Sequence, residues 1–305
     1  MAAPANGAPA APSKFRTFLS RLLSTVILWT VILWAMFSGN AWVSNGVFLL
    51  LIAFLALTGL IEFYGIARKC GMVNFKFTGV VGGLLLMVGT FLKLNGQLGN
   101  DEGPARVNDF ETCFLILFVL GLCVRQFVAK NNPTGLTAIA TTLFGLMYVP
   151  WLLNFIQKIY FFPHVDGRYF LLYFILITKF SDMGAYAVGS LIGRHKMIPR
   201  ISPGKTWEGF GGAIAVSTGA SLVFVHFFGD RMHGMTPLHA VILGVVLSIS
   251  AVIGDLIESL FKREAGVKDS GRVFPGIGGI LDLLDSLLFN APLMYLYLRH
   301  ILTHP

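Results

Sequence analysis

Long apolar runs alternate with short polar segments along most of this chain, and the alternation predicts its fold. Nine such runs fall near residues 22–37, 47–66, 77–94, 112–129, 135–156, 169–190, 209–229, 236–257 and 278–298. Runs of about 17–25 apolar residues cross a bilayer as single helices. The pattern therefore predicts an all-α, polytopic integral membrane protein with about nine transmembrane helices.

The composition supports the same fold class. Of the 305 residues, 55% are hydrophobic and 12% are charged, whereas soluble domains carry about 25% charged residues. A chain with so little charge cannot cover a water-soluble surface, which excludes soluble and disordered proteins. Cys70, Cys113 and Cys123 have no metal-ligand spacing and are too few for a disulfide scaffold.

The basic residues predict the orientation in the membrane. With a cytoplasmic N-terminus, 16 Lys and Arg residues fall in inside segments and 6 in outside segments, with Lys179 inside a span. This asymmetry follows the positive-inside rule and favours a cytoplasmic N-terminus. The net charge of +8 is scattered over short loops, which indicates contact with anionic membrane lipids and no nucleic-acid partner.

Charge also divides the chain into parts. Residues 1–13 are rich in Ala and Pro and are expected to be a disordered leader. Residues 14–160 carry almost no charge inside their spans and are interpreted as N-terminal scaffold helices, the first being a retained helix and not a cleaved signal. Acidic residues between those spans, such as Asp109 and Glu111, are interpreted as solvated. Residues 161–305 are predicted to be the catalytic half, with cytoplasmic loops.

Acidic and basic side chains gather around the last two spans. On a helix, Asp255, Ser259 and Lys262 share one face. Asp282 and Asp285 share a face one turn inside the next span, where two desolvated carboxylates need a cation. That cation is either a metal or one of the nearby basic residues, which are Lys262, Arg263, Lys268 and Arg272. A purely structural ion-pair network is the alternative.

The chemistry of this cluster favours magnesium and phosphate. Carboxylate oxygens without His or Cys nearby suit Mg²⁺, which one or two carboxylates hold together with substrate phosphates. Lysine and arginine neutralise the charge of phosphoryl groups. The sequence therefore predicts a site for a nucleoside triphosphate at this helix junction.

A second polar loop runs from Arg194 to Gly209. Its Gly204-Lys205-Thr206 triplet is not a P-loop, because Pro199 stands where the first glycine is required and no strand precedes the motif. The loop suits anionic headgroups or nucleotide phosphates, although ordinary positive-inside charge also explains it. Within the preceding span, Lys179 and Asp182 either neutralise each other or serve the site.

These residues resemble the motif of the phosphatidate cytidylyltransferase (CDP-diglyceride synthase) family. The matching residues are Ser259, Lys262, Arg263, Lys268, Asp269, Gly271, Pro275, Gly278, Gly279, Asp282 and Asp285, with the family's spacing over 27 residues. The stretches at Asp182 and at Ser202–Gly209 also look like that family's, so the resemblance covers about 170–300. Ile277 and Leu283 depart from it, replacing a His and an Arg or Ser.

The resemblance implies an Mg²⁺-dependent transfer of the cytidylyl group from CTP to phosphatidate, giving CDP-diacylglycerol and pyrophosphate. Carried over to this sequence, the catalytic residues are Asp255, Lys262, Asp269, Asp282 and Asp285. The metal ligands are Asp255, Asp282 and Asp285, with a second cation left open. The substrate-binding residues are Asp182, Ser202, Lys205, Ser259, Arg263, Lys268 and Arg272.

The expected partners are CTP, phosphatidate and membrane lipids, and a homodimer is left open. The resemblance places the protein in the inner (plasma) membrane with its site on the cytoplasmic face. Three alternatives remain: a cytidylyltransferase acting on another lipid, an ion or substrate transporter that uses the same carboxylates, and a non-catalytic relative in which Ile277 and Leu283 mark lost activity.

Overall fold

The computed structural model describes residues 39–97, 104–129, 134–271 and 278–303, together with Thr30, Leu33, Trp34 and Phe37. The predicted leader and most of the first predicted span lie outside the described residues. Arg272 and Ile277 also lie outside them.

The described residues form eight helices that are long and apolar enough to cross a membrane. Their elements are α1 (Ala41–Lys69), α2 (Lys76–Leu94), α3 (Pro104–Val128), α4 (Gly135–Leu146), α5 (Leu152–Tyr160), α6 (Gly167–Ile192), α7 (Trp207–Phe228), α8 (Pro237–Glu264) and α9 (Ile280–Tyr297). A π-helical turn, Met147–Trp151, joins α4 and α5 into one span that contains Pro150. The predicted all-α polytopic fold is confirmed, and eight of the nine predicted spans coincide with these helices.

Several helices extend beyond their predicted limits, and α3 and α8 do so by the most residues at one end. Helix α3 begins at Pro104, before the predicted start at 112, and α8 continues to Glu264, past the predicted end at 257. The apolar pattern ends early in α8 because its last turns carry charged side chains. Of those side chains, Lys262 has a partner on α9, and Asp255 and Arg263 have partners on the segment before α7.

The segment between α6 and α7 is a small hairpin, where the sequence predicted only a polar loop. Strands β1 (Lys196–Ile198) and β2 (Ser202–Thr206) pair antiparallel, with Lys196 opposite Thr206. Thr206 ends β2 and caps α7, its Oγ1 accepting the Gly209 N–H at 3.1 Å. The hairpin therefore passes directly into α7 with no flexible linker.

Small residues bring α6 and α7 into close contact. A Cβ added to Gly184 would lie 2.6 Å from the Gly212 carbonyl oxygen, and one added to Gly209 would lie 2.8 Å from the Ala185 carbonyl oxygen. Glycines at such positions let two membrane helices approach backbone to backbone. This crossing fixes the hairpin against the half of α6 that carries Asp182.

Helix α9 is the central element, because it packs against α8, α5, α1 and α6. Residues Leu281, Leu284, Leu288 and Ala291 are at most 1% exposed. The core therefore surrounds the helix that carries Asp282 and Asp285, and movement of their backbone would disturb the packing of four neighbours.

The expectation of almost no buried charge in the first spans is wrong. Glu111 lies in α3 and is not solvated; its Oε2 accepts from Lys158 Nζ at 2.6 Å, and both side chains are at most 5% exposed. Asn154 Nδ2 also donates to Glu111 Oε1 at 3.1 Å. Lys158 Nζ lies 5.5 Å from the ring centre of Tyr295. This ion pair sits near the end of α9 opposite to Asp282.

Replacing Glu111 with alanine is expected to destabilise the protein by roughly 3–5 kcal/mol, because it leaves the Lys158 ammonium buried and uncompensated. The double variant Glu111→Ala/Lys158→Met removes that charge and is expected to recover much of the loss. Thermal unfolding in detergent measures both. A double variant no more stable than Glu111→Ala would contradict this account.

Candidate active site

A cavity of about 780 Å³ opens where α6, the hairpin, α7, α8 and α9 meet. Its volume lies within the range of about 300–1,000 Å³ that is usual for small-molecule sites. Eight of the residues predicted for catalysis or binding line it: Asp182, Ser202, Lys205, Asp255, Lys262, Asp269, Asp282 and Asp285. Residues up to about 100 positions apart in sequence thus reach one space.

The hairpin places Lys205 against α8. Its Nζ lies 2.8 Å from Asp255 Oδ2 and donates to the Val252 carbonyl oxygen at 3.1 Å. Ser259 supports the same carboxylate from one turn along, donating its hydroxyl to Asp255 Oδ1 at 3.3 Å. Both oxygens of Asp255 therefore have partners, and Asp255 faces the cavity in a fixed orientation.

Lys262 joins α8 to α9 through two carboxylates. Its Nζ lies 2.7 Å from Asp282 Oδ1 and is also in contact with Glu258, four residues earlier on the same helix. Asp282 Oδ2 accepts the Gly279 N–H at 2.9 Å and the Ser270 N–H at 3.2 Å. The cation that the sequence required beside Asp282 is thus a lysine of α8, and Asp282 also holds the start of its own helix.

Three carboxylates converge closely enough to share a metal ion. Asp255, Glu258 and Asp285 each place an oxygen within 4.8 Å of the other two. Glu258 is fully buried, and its Oε1 has no hydrogen-bond partner among the described residues. Such an orphaned oxygen among hard donors fits Mg²⁺ or a similar cation. Compared with the predicted ligands, Glu258 joins Asp255 and Asp285, while Asp282 is turned to Lys262.

Asp182 reaches the same carboxylates from α6. Ser286 Oγ lies 3.3 Å from Asp182 Oδ1 and 3.1 Å from Asp285 Oδ1. Lys179 Nζ lies 3.4 Å from Asp182 Oδ2, and it donates to the Leu283 carbonyl oxygen at 3.4 Å. The predicted neutralisation of Asp182 by Lys179 is therefore present, and Asp182 faces the cavity as well.

The remaining predicted residues have other places. Arg263 is exposed and donates to the Ile201 carbonyl oxygen at 3.1 Å, in the turn of the hairpin. Lys268 is exposed on the loop after α8 and is not among the lining residues. Arg272 lies outside the described residues. Glu208 fastens the base of the hairpin, accepting the Arg194 N–H at 3.1 Å and contacting His195 Nδ1 at 2.5 Å.

Two acidic residues near the site were not assigned a role from the sequence. A sequence feature could have identified Glu258, because it lies four residues before Lys262, which is the spacing of a helical ion pair. Glu62 of α1 could also have been identified, since an ionisable residue inside an apolar span is a functional candidate by default. Glu62 is 9% exposed and contacts the loop after α8.

A set of paired carboxylates and lysines around an open cavity can bind a divalent cation and a polyanion at the same place. The carboxylates supply cation ligands, while Lys205 and Lys262 supply positive charge within the same space. No described Ser or Cys in this space is paired with a His base as an activated nucleophile would be. The arrangement is that of a phosphoryl- or nucleotidyl-transfer site, in which the substrates react directly.

Comparison with known proteins gives consistent matches. A model described as "Cytidylyltransferase family" matches residues 19–301. A phosphatidate cytidylyltransferase of Staphylococcus saprophyticus is 33% identical over 259 residues, which is 85% of this chain and 93% of the relative. One of Haemophilus influenzae is 32% identical over 286 residues, 89% of this chain and 95% of the relative. An uncharacterised protein of Escherichia coli, YnbB, is 37% identical over 204 residues, 63% of this chain and 65% of the relative.

Proposed function

Because this chain belongs to the cytidylyltransferase family, we propose that it transfers the cytidylyl group of CTP to phosphatidate, giving CDP-diacylglycerol and pyrophosphate. The observation that carries the proposal is the pairing of Lys205 with Asp255 and of Lys262 with Asp282 around one cavity. The names of the relatives from Staphylococcus saprophyticus and Haemophilus influenzae agree with it. The same cavity offers room for a nucleotide beside a lipid headgroup.

In this reaction an oxygen of the phosphatidate phosphate attacks the α-phosphorus of CTP. A new P–O bond forms there, and the bond from the α-phosphorus to the bridging oxygen breaks, so that pyrophosphate leaves with the electron pair. The attacking phosphate is already anionic near neutral pH, and the protein therefore needs no nucleophile of its own. Its task is to align the two substrates and to neutralise charge.

We assign these tasks to the residues that line the cavity. Lys205 and Lys262 contact phosphate oxygens and stabilise the charge that builds up on the leaving pyrophosphate. Ser202, on the same strand as Lys205, and Asp182 position the substrates. Asp269 lines the rim beside the exposed Lys268, where it orients the incoming anion through that lysine.

Asp255, Glu258 and Asp285 are the residues that would hold Mg²⁺, with Asp282 kept in place by Lys262. A cation held by these carboxylates would supply positive charge that stabilises the phosphate groups during the transfer. This set replaces Asp282 of the sequence prediction with Glu258, and a second cation remains a prediction.

We further propose that the cavity opens to the cytoplasm and that the protein resides in the inner membrane. The positive-inside asymmetry supports this orientation.

We also propose that the scaffold half is residues 14–160 and the catalytic half is residues 161–305, although buried charge is present in both. The homodimer also stays a prediction.

The test is release of pyrophosphate by the purified protein in detergent with Mg²⁺, CTP and phosphatidate. We expect release only when all three are present, loss of release on chelation with EDTA, and recovery when Mg²⁺ is restored. Dependence on the metal follows from the three converging carboxylates.

Substitution of the lipid separates the alternatives. Release with another phosphorylated lipid and not with phosphatidate would identify a related lipid cytidylyltransferase. Absence of release with any lipid, in protein shown to be folded, would contradict the proposal and favour a binding or transport role. Activity unchanged by EDTA would contradict the metal assignment alone.

A further inference from the structure

The start of α9 lacks the side chain that usually caps a helix. The N-cap position is Gly279, which precedes Ile280 at the first helical position. A helix begins with backbone N–H groups that have no partner within the helix, and an N-cap side chain normally satisfies one of them. Glycine has no side chain and cannot satisfy such an N–H group. This is nevertheless the helix that carries Asp282 and Asp285.

A carboxylate from a distant helix takes over this task. Glu62 Oε2, on α1, accepts the Leu281 N–H at 2.8 Å. Leu281 is fully buried and Glu62 is 9% exposed, so water cannot readily replace this bond. The negative charge also lies at the positive end of the helix dipole, where it is stabilising.

The same oxygen holds the loop that precedes α9. Ser270 Oγ donates to Glu62 Oε2 at 3.0 Å, while the Ser270 N–H donates to Asp282 Oδ2 at 3.2 Å. Asp282 Oδ2 in turn accepts the Gly279 N–H at 2.9 Å. Glu62 and Asp282 thus bind the same two segments, the loop at Ser270 and the first turn of α9, from different sides.

The space around Glu62 is filled. A Cβ added to Gly279 would collide with Ser270 Oγ and lie 2.6 Å from both Glu62 Oε2 and the Gly271 backbone nitrogen, and one added to Gly271 would collide with Glu62 Oε1. Backbone conformation does not require glycine at 279, because its φ of −80° suits any residue. The close approach of Ser270, the Glu62 carboxylate and the Gly271 backbone is what makes glycine necessary there.

We propose that Glu62 is a positioning residue for the transfer reaction. It caps α9 from a different helix and holds the start of α9 to the loop at Ser270, so that the Asp282 carboxylate stays paired with the Lys262 ammonium. The inference rests on the proposed function. Glu62 is absent from the residues that line the cavity and acts through the backbone of Ser270 and Leu281. Helix α1, assigned from sequence to the scaffold, therefore contributes to the site.

The central experiment is the variant Glu62→Ala. It is expected to lower kcat for pyrophosphate release roughly 10- to 100-fold, because the buried Leu281 N–H and the partly buried Ser270 hydroxyl lose their acceptor. KM for CTP is expected to change less than about threefold.

Two further variants separate positioning from general stability. Glu62→Gln keeps an oxygen acceptor and is expected to lose less than about fivefold in kcat. Glu111→Ala removes a buried carboxylate that contacts neither α9's first turn nor Ser270, and it should lower thermal stability while leaving kcat within about twofold.

Amide hydrogen exchange provides a readout that needs no turnover. In Glu62→Ala, exchange at Leu281 and Ser270 is expected to accelerate by about tenfold or more, and in Glu111→Ala it should stay at the wild-type rate. If wild-type protein releases no pyrophosphate while Glu62→Ala still accelerates exchange, the proposed function fails, whereas the capping of α9 by Glu62 stands. Unchanged exchange and kcat in Glu62→Ala would overturn the inference. If Glu62→Ala does not fold, Glu62→Asp, which withdraws the carboxylate by one methylene, decides in the same way.

Discussion

Replacement of Lys262 by methionine is expected to lower kcat/KM for CTP by about 10³-fold, the size of effect seen when one preorganised charge is removed from a transfer site. The Lys262 ammonium lies 2.7 Å from Asp282 Oδ1 and contacts Glu258. Without it, two carboxylates that are at most 16% exposed repel each other and Asp282 loses its fixed position. Methionine keeps the length of the side chain, so the loss reflects charge.

Stability must be separated from chemistry in this variant, because an unpaired buried charge can itself unfold a protein. The variant Lys262→Met/Glu258→Gln removes one of the two repelling carboxylates and is expected to recover thermal stability without recovering activity. Lys69→Met, at the exposed end of α1, is the matched control and should behave as wild type. Pyrophosphate release within tenfold of wild type for Lys262→Met would refute the role assigned to this lysine.

Replacement of Asp255 by asparagine is expected to abolish the response of the enzyme to Mg²⁺, with a loss in kcat of about 10²-fold or more. Asp255 is the residue that belongs both to the converging carboxylates and to the ion pair with Lys205. Asparagine preserves the shape and the bond from Ser259, but its neutral amide is a much weaker ligand for a hard cation. A titration of pyrophosphate release with Mg²⁺ measures the effect.

The matched control for this change is Asp230→Asn, an exposed carboxylate in the short turn after α7. It should leave the Mg²⁺ titration unchanged. Direct titration of Mn²⁺ into both proteins in the absence of nucleotide shows whether the metal itself is lost. A normal Mg²⁺ response in Asp255→Asn would exclude this carboxylate from the metal site.

The sequence predicts the spans and most of the charged residues of the cavity, because both depend on patterns among residues that are close in the chain. Apolar runs separated by charged segments reveal helices one by one, and spacings of three and four place Asp255 with Ser259 and Asp282 with Asp285 on shared faces. The requirement for a cation beside Asp282 also followed from desolvation alone. Lys262 is one of the four basic residues that the sequence offers as this cation, and its ammonium is the group that contacts Asp282.

Contacts between distant elements were out of reach of such patterns. The partner of Glu62 lies 219 residues along the chain, and nothing in the spacing around Glu62 points to it. The sequence pattern places Glu111 in a solvated loop because its helix begins earlier than the apolar run, and its partner Lys158 lies 47 residues away. The pattern does not reveal the hairpin, since its strands are three and five residues long, too short for a period-two pattern.

The balance of charge in the cavity has a consequence for the order in which ligands arrive. Among the described residues, the cavity and its direct partners hold six carboxylates and four lysines, namely Asp182, Asp255, Glu258, Asp269, Asp282, Asp285, Lys179, Lys196, Lys205 and Lys262. The carboxyl groups outnumber the amino groups by two, an excess that a divalent cation would offset. A triphosphate that enters alone meets charge of its own sign. Cation and nucleotide should therefore bind synergistically, each raising the affinity for the other by the same factor.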